Sequence, residues 1–300
     1  MVYDCFLFND ELDILKLRLT YLAKYVDYFV IAESTQTLSG FEKPLHFLNN
    51  IDQFSEFNNK FIHVIIPPIR ELDSWGREYY QRNYLKTGLK ECLDGDLIII
   101  ADLDEFINMD YMLNEIKVTK PCIIEMPLYY YFLNLKTTEK WCKTLISPFS
   151  YIKDVNIGDR EKYFDLKPDI IKHQGEQLGW HFSYLFGYNI QLYINKLKSF
   201  SHQEYNTSYF LNPKRIKTCL SLGIDFLERN SVYKIVDPAT ELPSQLYEAL
   251  NIAGVKDKLL YRKPGIGFYL NFYNFKYYIK FSVKPRLKLW LDKWLTKSSG

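Results

Sequence analysis

The stretch DLIIIADLDEF, residues 96–106, decides how this chain is read. Leu97, Ile98, Ile99 and Ile100 make a short apolar, β-branched run, the pattern of a strand buried on both faces. The run delivers three carboxylates, Asp102, Asp104 and Glu105, to its carboxyl end. Asp102 and Asp104 are two apart, so an extended backbone turns them to the same side. Such a pair suits Mg2+ or Mn2+, which take hard oxygen ligands and leave positions for phosphate oxygens. The same residues also suit a solvated turn that merely ends the strand, and the spacing alone leaves both readings open.

The segments before it set the context. Residues 2–8 read as a strand, and Asn9-Asp10 as the cap of a helix over 11–25 with Leu12, Leu15, Leu19, Leu22 and Val26 on one face. Strands follow at 27–32 and 61–66, the second stopped by Pro67-Pro68. Asp73-Ser74 caps a helix over 75–92, the Asp94-Gly95 turn leads into the acidic strand, and another strand lies at 122–128. Strands alternating with helices predict an α/β fold, a mostly parallel central sheet with helices on both faces. Ligands of such sheets sit beyond the carboxyl ends of the strands. Glu33 and the 102–105 acids fall at that edge. From 129 onward the pattern is less regular and reads as short strands or aromatic loops, followed by a helix over 212–230 with Asn212 as cap and Pro213 at its first position.

Apolar residues make up 47% of the 300 and charged residues 25%, which places the chain among globular proteins rather than disordered ones. Five cysteines without CxxC spacing read as reduced, buried thiols, not a disulfide framework or a zinc site. The N-terminal MVYDCFLFND has no basic region, and no apolar run approaches the roughly 20 residues of a membrane span. A cytoplasmic protein without signal peptide or transmembrane segment is therefore expected. Residues 256–300 hold eleven Lys/Arg against two Asp, a local charge of +9 that leaves −7 for the remainder. This basic, aromatic extension reads either as a helix packed on the body or as a segment lying on an anionic membrane surface. An acidic body without any nucleic-acid motif argues against nucleic-acid partners.

Three other stretches carry chemistry-bearing residues. DSWGREYYQRN at 73–83 holds Arg77 and Arg82, suited to phosphate, although Glu78 and Arg82 are also placed to pair on a helix surface. GWHFSYLFG at 179–187 offers Trp180 as a stacking face and His181 as a metal ligand or a core histidine. SFSHQEYN at 199–206 brings His202 and Glu204 together, either able to take a proton.

In this order, these stretches resemble glycosyltransferase family 17, the family of the bisecting type of β-1,4-N-acetylglucosaminyltransferase. YDCFLFNDELDILKLRL at 3–19, VDYFVIAESTQTLSG at 26–40, PLHF at 44–47, GDLIIIADLDEF at 95–106 and KSFSHQEYN at 198–206 complete the match, which spans about residues 3–230. Phe106 and Ile107 stand where the family often has Ile and Pro. The resemblance implies a GT-A-like domain, and the charge shift near 255 bounds it at 1–255, with 256–300 as an extension. It implies an inverting transfer from a UDP-sugar, first UDP-N-acetylglucosamine, to a glycan or glycolipid acceptor, with Mn2+ or Mg2+ as cofactor. Asp102 and Asp104 match the acidic motif; His181 would complete the metal shell. Glu33, Arg77, Arg82 and Asp102 would bind the donor and Trp180 the acceptor. Glu204, or else Glu105, would be the base. A metal-dependent phosphohydrolase or nucleotidyltransferase, or a non-catalytic glycan-binding protein, are the competing readings.

Overall fold

In the computed structural model, which describes residues 1–172, 177–229, 231–263 and 272–298, the strands expected in the first hundred residues all form. β1 (Val2–Phe8) pairs in parallel with β2 (Tyr28–Ser34), and β2 with β3 (Phe61–Ile66). On the other side of β1 lies β4 (Leu97–Ile100), also parallel. Successive strand side chains alternate between two cores. Ile98 and Ile100 enter one core with Cys5 and Val30; Ile99 enters the other with Phe6 and Phe29. Each fully buried isoleucine contributes about 1.5–3 kcal/mol.

Helices cover both faces. α1 (Leu12–Leu22) places Leu15, Leu19 and Leu22 in the Phe6 core. α2 (Ser74–Tyr84) is capped as expected, the Asp73 carboxylate accepting from the Gly76 amide at 2.7 Å. It ends earlier than the expected 92, and a tight turn over Leu85–Leu89 buries Leu85 and Leu89 in the Cys5 core. α1 is likewise shorter than 11–25. Its N-cap position is Glu11, without a side-chain cap bond, so Asn9-Asp10 do not cap it. The expected helix over 212–230 covers only Pro213–Leu222. Gly223, at φ +61°, ends it in the left-handed conformation that glycine accepts freely.

Six strands complete the sheet beyond β4: β5 (Glu105–Ile107), β6 (Cys122–Tyr130), β7 (Leu135–Pro148), β8 (Asp169–Ile171), β9 (Gly179–Ser183) and β10 (Tyr233–Ile235). This part is mixed: β7 runs antiparallel to β4, β6 and β10, and β9 antiparallel to β5, while β8 and β9 run parallel to β6. The order is β3-β2-β1-β4-β7-β6-β9-β5, with β8 beside β6 and β10 beside β7. The region expected to be irregular thus holds the longest strand, β7. Tyr131, at φ 70°, belongs to the turn that precedes it. The whole is an α/β fold of GT-A-like kind. All five cysteines are free, with Cys5, Cys122 and Cys219 buried.

The chain after 255 begins on the body: Leu259 and Tyr261 are buried, and Tyr261 exchanges two hydrogen bonds with the Asn134 side chain, at 2.7 and 3.1 Å. Residues 264–271 of the basic extension lie outside the described residues. Helices over Phe272–Tyr278 and Lys284–Ser298 follow. Among the described residues no helix is long and apolar enough to cross a membrane.

One buried cation ties these parts together. Arg18 of α1 has no solvent exposure. Its Nε and Nη2 donate to both Asp4 oxygens, at 2.7 and 2.6 Å, and its Nη1 donates to the carbonyls of Asp102, Leu103 and Glu105, at 3.2, 3.1 and 2.6 Å. Replacing Arg18 by Met strands the Asp4 charge in the core. Urea unfolding should show a loss of about 3–5 kcal/mol, whereas a loss under 1 kcal/mol would contradict this role.

Candidate active site

The acidic strand end opens into a cleft of about 510 Å3. The cleft lies at the carboxyl edge of β1, β2 and β4, where strand order reverses and α/β sheets bind ligands. Lys43, Arg82, Lys143, Arg160, Lys196 and Arg229 line it, interleaved with the carboxylates of Glu11, Glu78, Asp102, Asp104, Asp159 and Glu161. So do the rings of Trp75, Tyr79, Trp141 and Tyr184.

Asp102 is held between two guanidiniums. Arg82 Nη1 donates to its Oδ1 at 2.8 Å and Arg160 Nη1 to its Oδ2 at 2.6 Å. Burial alone would raise its pKa, but Arg160 and Arg82 outweigh it and hold the carboxyl well below the usual range. Arg82 also donates to Glu78 at 3.1 Å, so it makes both the helix-surface pair and the contact with the site. Glu78 in turn accepts from the Ser201 hydroxyl.

Arg160 comes from a segment the sequence did not mark. Asp159 caps the short turn Arg160–Leu166, and Gly158 packs so closely on the Tyr79 carbonyl that a Cβ there would lie 2.2 Å from it. Arg160 Nη2 donates at 2.8 Å to both oxygens of Glu105.

Glu105 is fully buried. Besides Arg160 it accepts from Trp141 Nε1, at 2.8 Å, and from the Thr144 hydroxyl. A carboxylate so enclosed and so fully paired is an anchor, which removes Glu105 as a proton acceptor for substrate. Its neighbour Asp104 faces the cleft with His181, whose Nε2 lies 3.4 Å from Asp104 Oδ1. β9 makes this meeting by entering between β6 and β5, setting His181 opposite Glu105, with the Phe182 amide donating to the Asp104 carbonyl at 2.9 Å. Burial would lower the His181 pKa, but the Asp104 charge outweighs it and raises it. His181 Nδ1 is buried without a hydrogen-bond partner.

Other expected residues stand elsewhere. Trp180 is 1% exposed and donates its Nε1 to the Glu241 carbonyl at 3.1 Å, so no acceptor reaches its ring. Glu33 is buried outside the cleft, accepting from the Phe47 and Leu48 amides at 3.0 and 3.4 Å and from Lys43 at 3.4 Å. Arg77 donates to the Leu38 carbonyl, at 2.8 Å, and to that of Leu72, bracing the loop rather than facing a ligand. Glu204 is exposed at the rim, and its Oε1 lies 2.8 Å from Nδ1 of His202, which does line the cleft. The His202 ring packs edge-on against Trp75, with centroids 4.7 Å apart. Missed entirely were Arg160 and the Glu11–Lys196 pair, at 2.9 Å across 185 positions; neither has a local pattern to reveal it.

Fold and site together define an α/β protein of the GT-A-like class, with paired acids at the sheet edge. The chain belongs to glycosyltransferase family 17, whose family model matches residues 1–233. It is 32% identical over 114 residues to the β-1,4-mannosyl-glycoprotein 4-β-N-acetylglucosaminyltransferase of Homo sapiens, covering 35% of this chain and 21% of that protein. The same enzyme of Rattus norvegicus matches with the same identity and coverage. The match thus spans about a fifth of the length of these relatives. Among solved structures, the 2-C-methyl-D-erythritol 4-phosphate cytidylyltransferase of Francisella tularensis overlaps 59% of this chain and 93% of its own, at 9% identity and a TM-score of 0.31, too loosely to inform the fold.

Removing the Arg160 side chain should leave Glu105 charged and buried without a counter-ion, although still hydrogen-bonded to Trp141 and Thr144, at a cost of about 3–5 kcal/mol. Adding Glu105→Gln to Arg160→Met should recover at least half of that loss in urea unfolding. Additive losses would deny the coupling.

Proposed function

We propose that this chain is an inverting, metal-dependent glycosyltransferase that moves N-acetylglucosamine, in β linkage, from UDP-N-acetylglucosamine to a glycan or glycolipid acceptor. The observation that carries the reading is the cleft at the sheet's carboxyl edge in which Arg82 and Arg160 flank Asp102 while Asp104 stands beside His181. Family membership and the names of the relatives support the transferred sugar.

The residues present fit a divalent cation in part. Among the described residues no three His, Cys, Asp or Glu side chains are grouped to hold one. Asp102, expected as a ligand, has both oxygens committed to guanidiniums. Asp104 and His181 supply two donors facing the cleft. Two are enough for Mn2+ or Mg2+ when substrate phosphate and water complete the shell. The metal, once bound, would neutralise charge on the departing diphosphate.

The chain's own groups do the rest. Arg82 and Arg160 stabilise the charge that develops on the leaving diphosphate, and Asp102 orients and balances both until donor arrives. The exposed ring of Trp75 offers the acceptor sugar a stacking face that buried Trp180 does not. His202, held at Nδ1 by Glu204, takes the proton of the acceptor hydroxyl as it attacks the anomeric carbon. Displacement through an oxocarbenium-like transition state then inverts the configuration there.

Calorimetric titration with UDP-N-acetylglucosamine, with and without Mn2+, tests the donor site. Binding should require metal and vanish in Asp104→Ala. Asp102→Asn should show metal-free UDP binding that wild type lacks, because its guanidiniums lose their competing anion. Absence of any nucleotide-sugar binding by the folded protein would sink the reading; phosphate release without an acceptor would move it to a phosphohydrolase. In the transfer assay His202→Asn should cut kcat about 100-fold or more while leaving donor affinity unchanged, and an unchanged kcat would dismiss His202 as base.

A further inference from the structure

The C-terminal helix Lys284–Ser298 carries its apolar residues on the outside. Leu287 is 56% exposed, Trp290 60%, Leu291 42% and Trp294 58%, and Leu295 is exposed beside them. Their spacing, three and four residues apart, sets the first four within an arc of about 100° on one helix face. Leu289, on the opposite side, is half-buried, and Arg286 donates to the Tyr233 carbonyl at 2.8 Å, so the other face of the helix is the one anchored to the body. A sequence helix of this kind would ordinarily bury its leucines and tryptophans and expose its lysines. Here both are exposed, and Lys284 and Lys288 stand along one edge of the apolar stripe.

We propose that this face docks on an anionic lipid surface, lying in the plane of the interface. Charge complementarity selects that occupant. The extension carries +9 over residues 256–300, a charge that an anionic surface neutralises and that a second copy of the chain would only repeat. An anionic bilayer accepts both features: the rings and leucines enter at headgroup depth and the ammonium groups meet lipid phosphates. At 15 residues the helix lies on such a surface; it does not span it. The docking face is separate from the cleft and does not depend on the transferase reading.

Sedimentation of the full chain with phosphatidylcholine vesicles, with and without phosphatidylglycerol, tests this without reference to turnover. Wild type should partition onto the anionic vesicles, with a blue shift of tryptophan fluorescence, and far less onto neutral ones. Trp290→Ser with Trp294→Ser should lower the partition coefficient by at least about tenfold. Lys284→Glu with Lys288→Glu should lower it by a similar factor and weaken its salt dependence. These positions are exposed, and an unchanged melting temperature in each variant would confirm intact folding. The proposal is overturned if wild type ignores anionic vesicles, or if the tryptophan variant binds them as wild type does. It is equally overturned if light scattering finds a dimer that the tryptophan substitutions dissociate, which would make the stripe a contact between copies.

Discussion

A guanidinium sealed from water holds the acidic loop where it is. Arg18 spends its donors on one carboxylate and three carbonyls, and the rings of Phe6 and Phe106 lie 4.9 and 5.8 Å from it. Chain that leaves a parallel strand must satisfy carbonyls the sheet no longer pairs. Here a side chain from the first helix does so, and that side chain is itself neutralised by the first strand. The backbone of residues 102–105 is thereby fixed from beneath, leaving Asp102 and Asp104 directed at the cleft above.

Charge compensation continues upward from that clamp. Glu105, on the buried side, holds Arg160; Arg160 and Arg82 hold Asp102; Arg82 holds Glu78, which accepts from Ser201. Each member is oriented by the next, so the polar groups at the mouth of the cleft are set in place by packing and pairing before any ligand arrives. Preorganisation of this sort is what lets fixed charges act on a transition state without first having to be arranged.

The parts legible in the sequence were those with local periodicity: the first four strands, the two helices between them and the acids at the strand end. Contacts between distant segments were not legible. His181 meets Asp104 only because β9 enters the sheet beside β5, and Arg160 reaches Asp102 from a loop with no pattern of its own. Within β9 adjacent residues point to opposite faces, so Trp180 and His181 cannot both face the cleft. Asp104 lies in the turn before β5, and what separates Glu105 from it is burial under Arg160, Trp141 and Thr144, which no local pattern announces. The helix expected over 212–230 stops at Leu222, where Gly223 is a stop signal legible in the sequence. Tyr131 offers no such clue, since tyrosine, unlike Gly or Asn, has no tendency toward positive φ.

The late insertion of β9 also has a consequence for how the protein is made. The strand that carries His181 joins β5, about 75 residues earlier in the chain, and β6, about 50 earlier. A ribosome that has released only the first 170 residues has released the acidic loop but not the strand that flanks it. Nascent chains therefore pass through an interval in which β5 and one edge of β6 lack their partner, and such edges invite pairing with other chains. The cleft cannot be complete before β9 and the lining residues beyond it, out to Arg229, have left the ribosome.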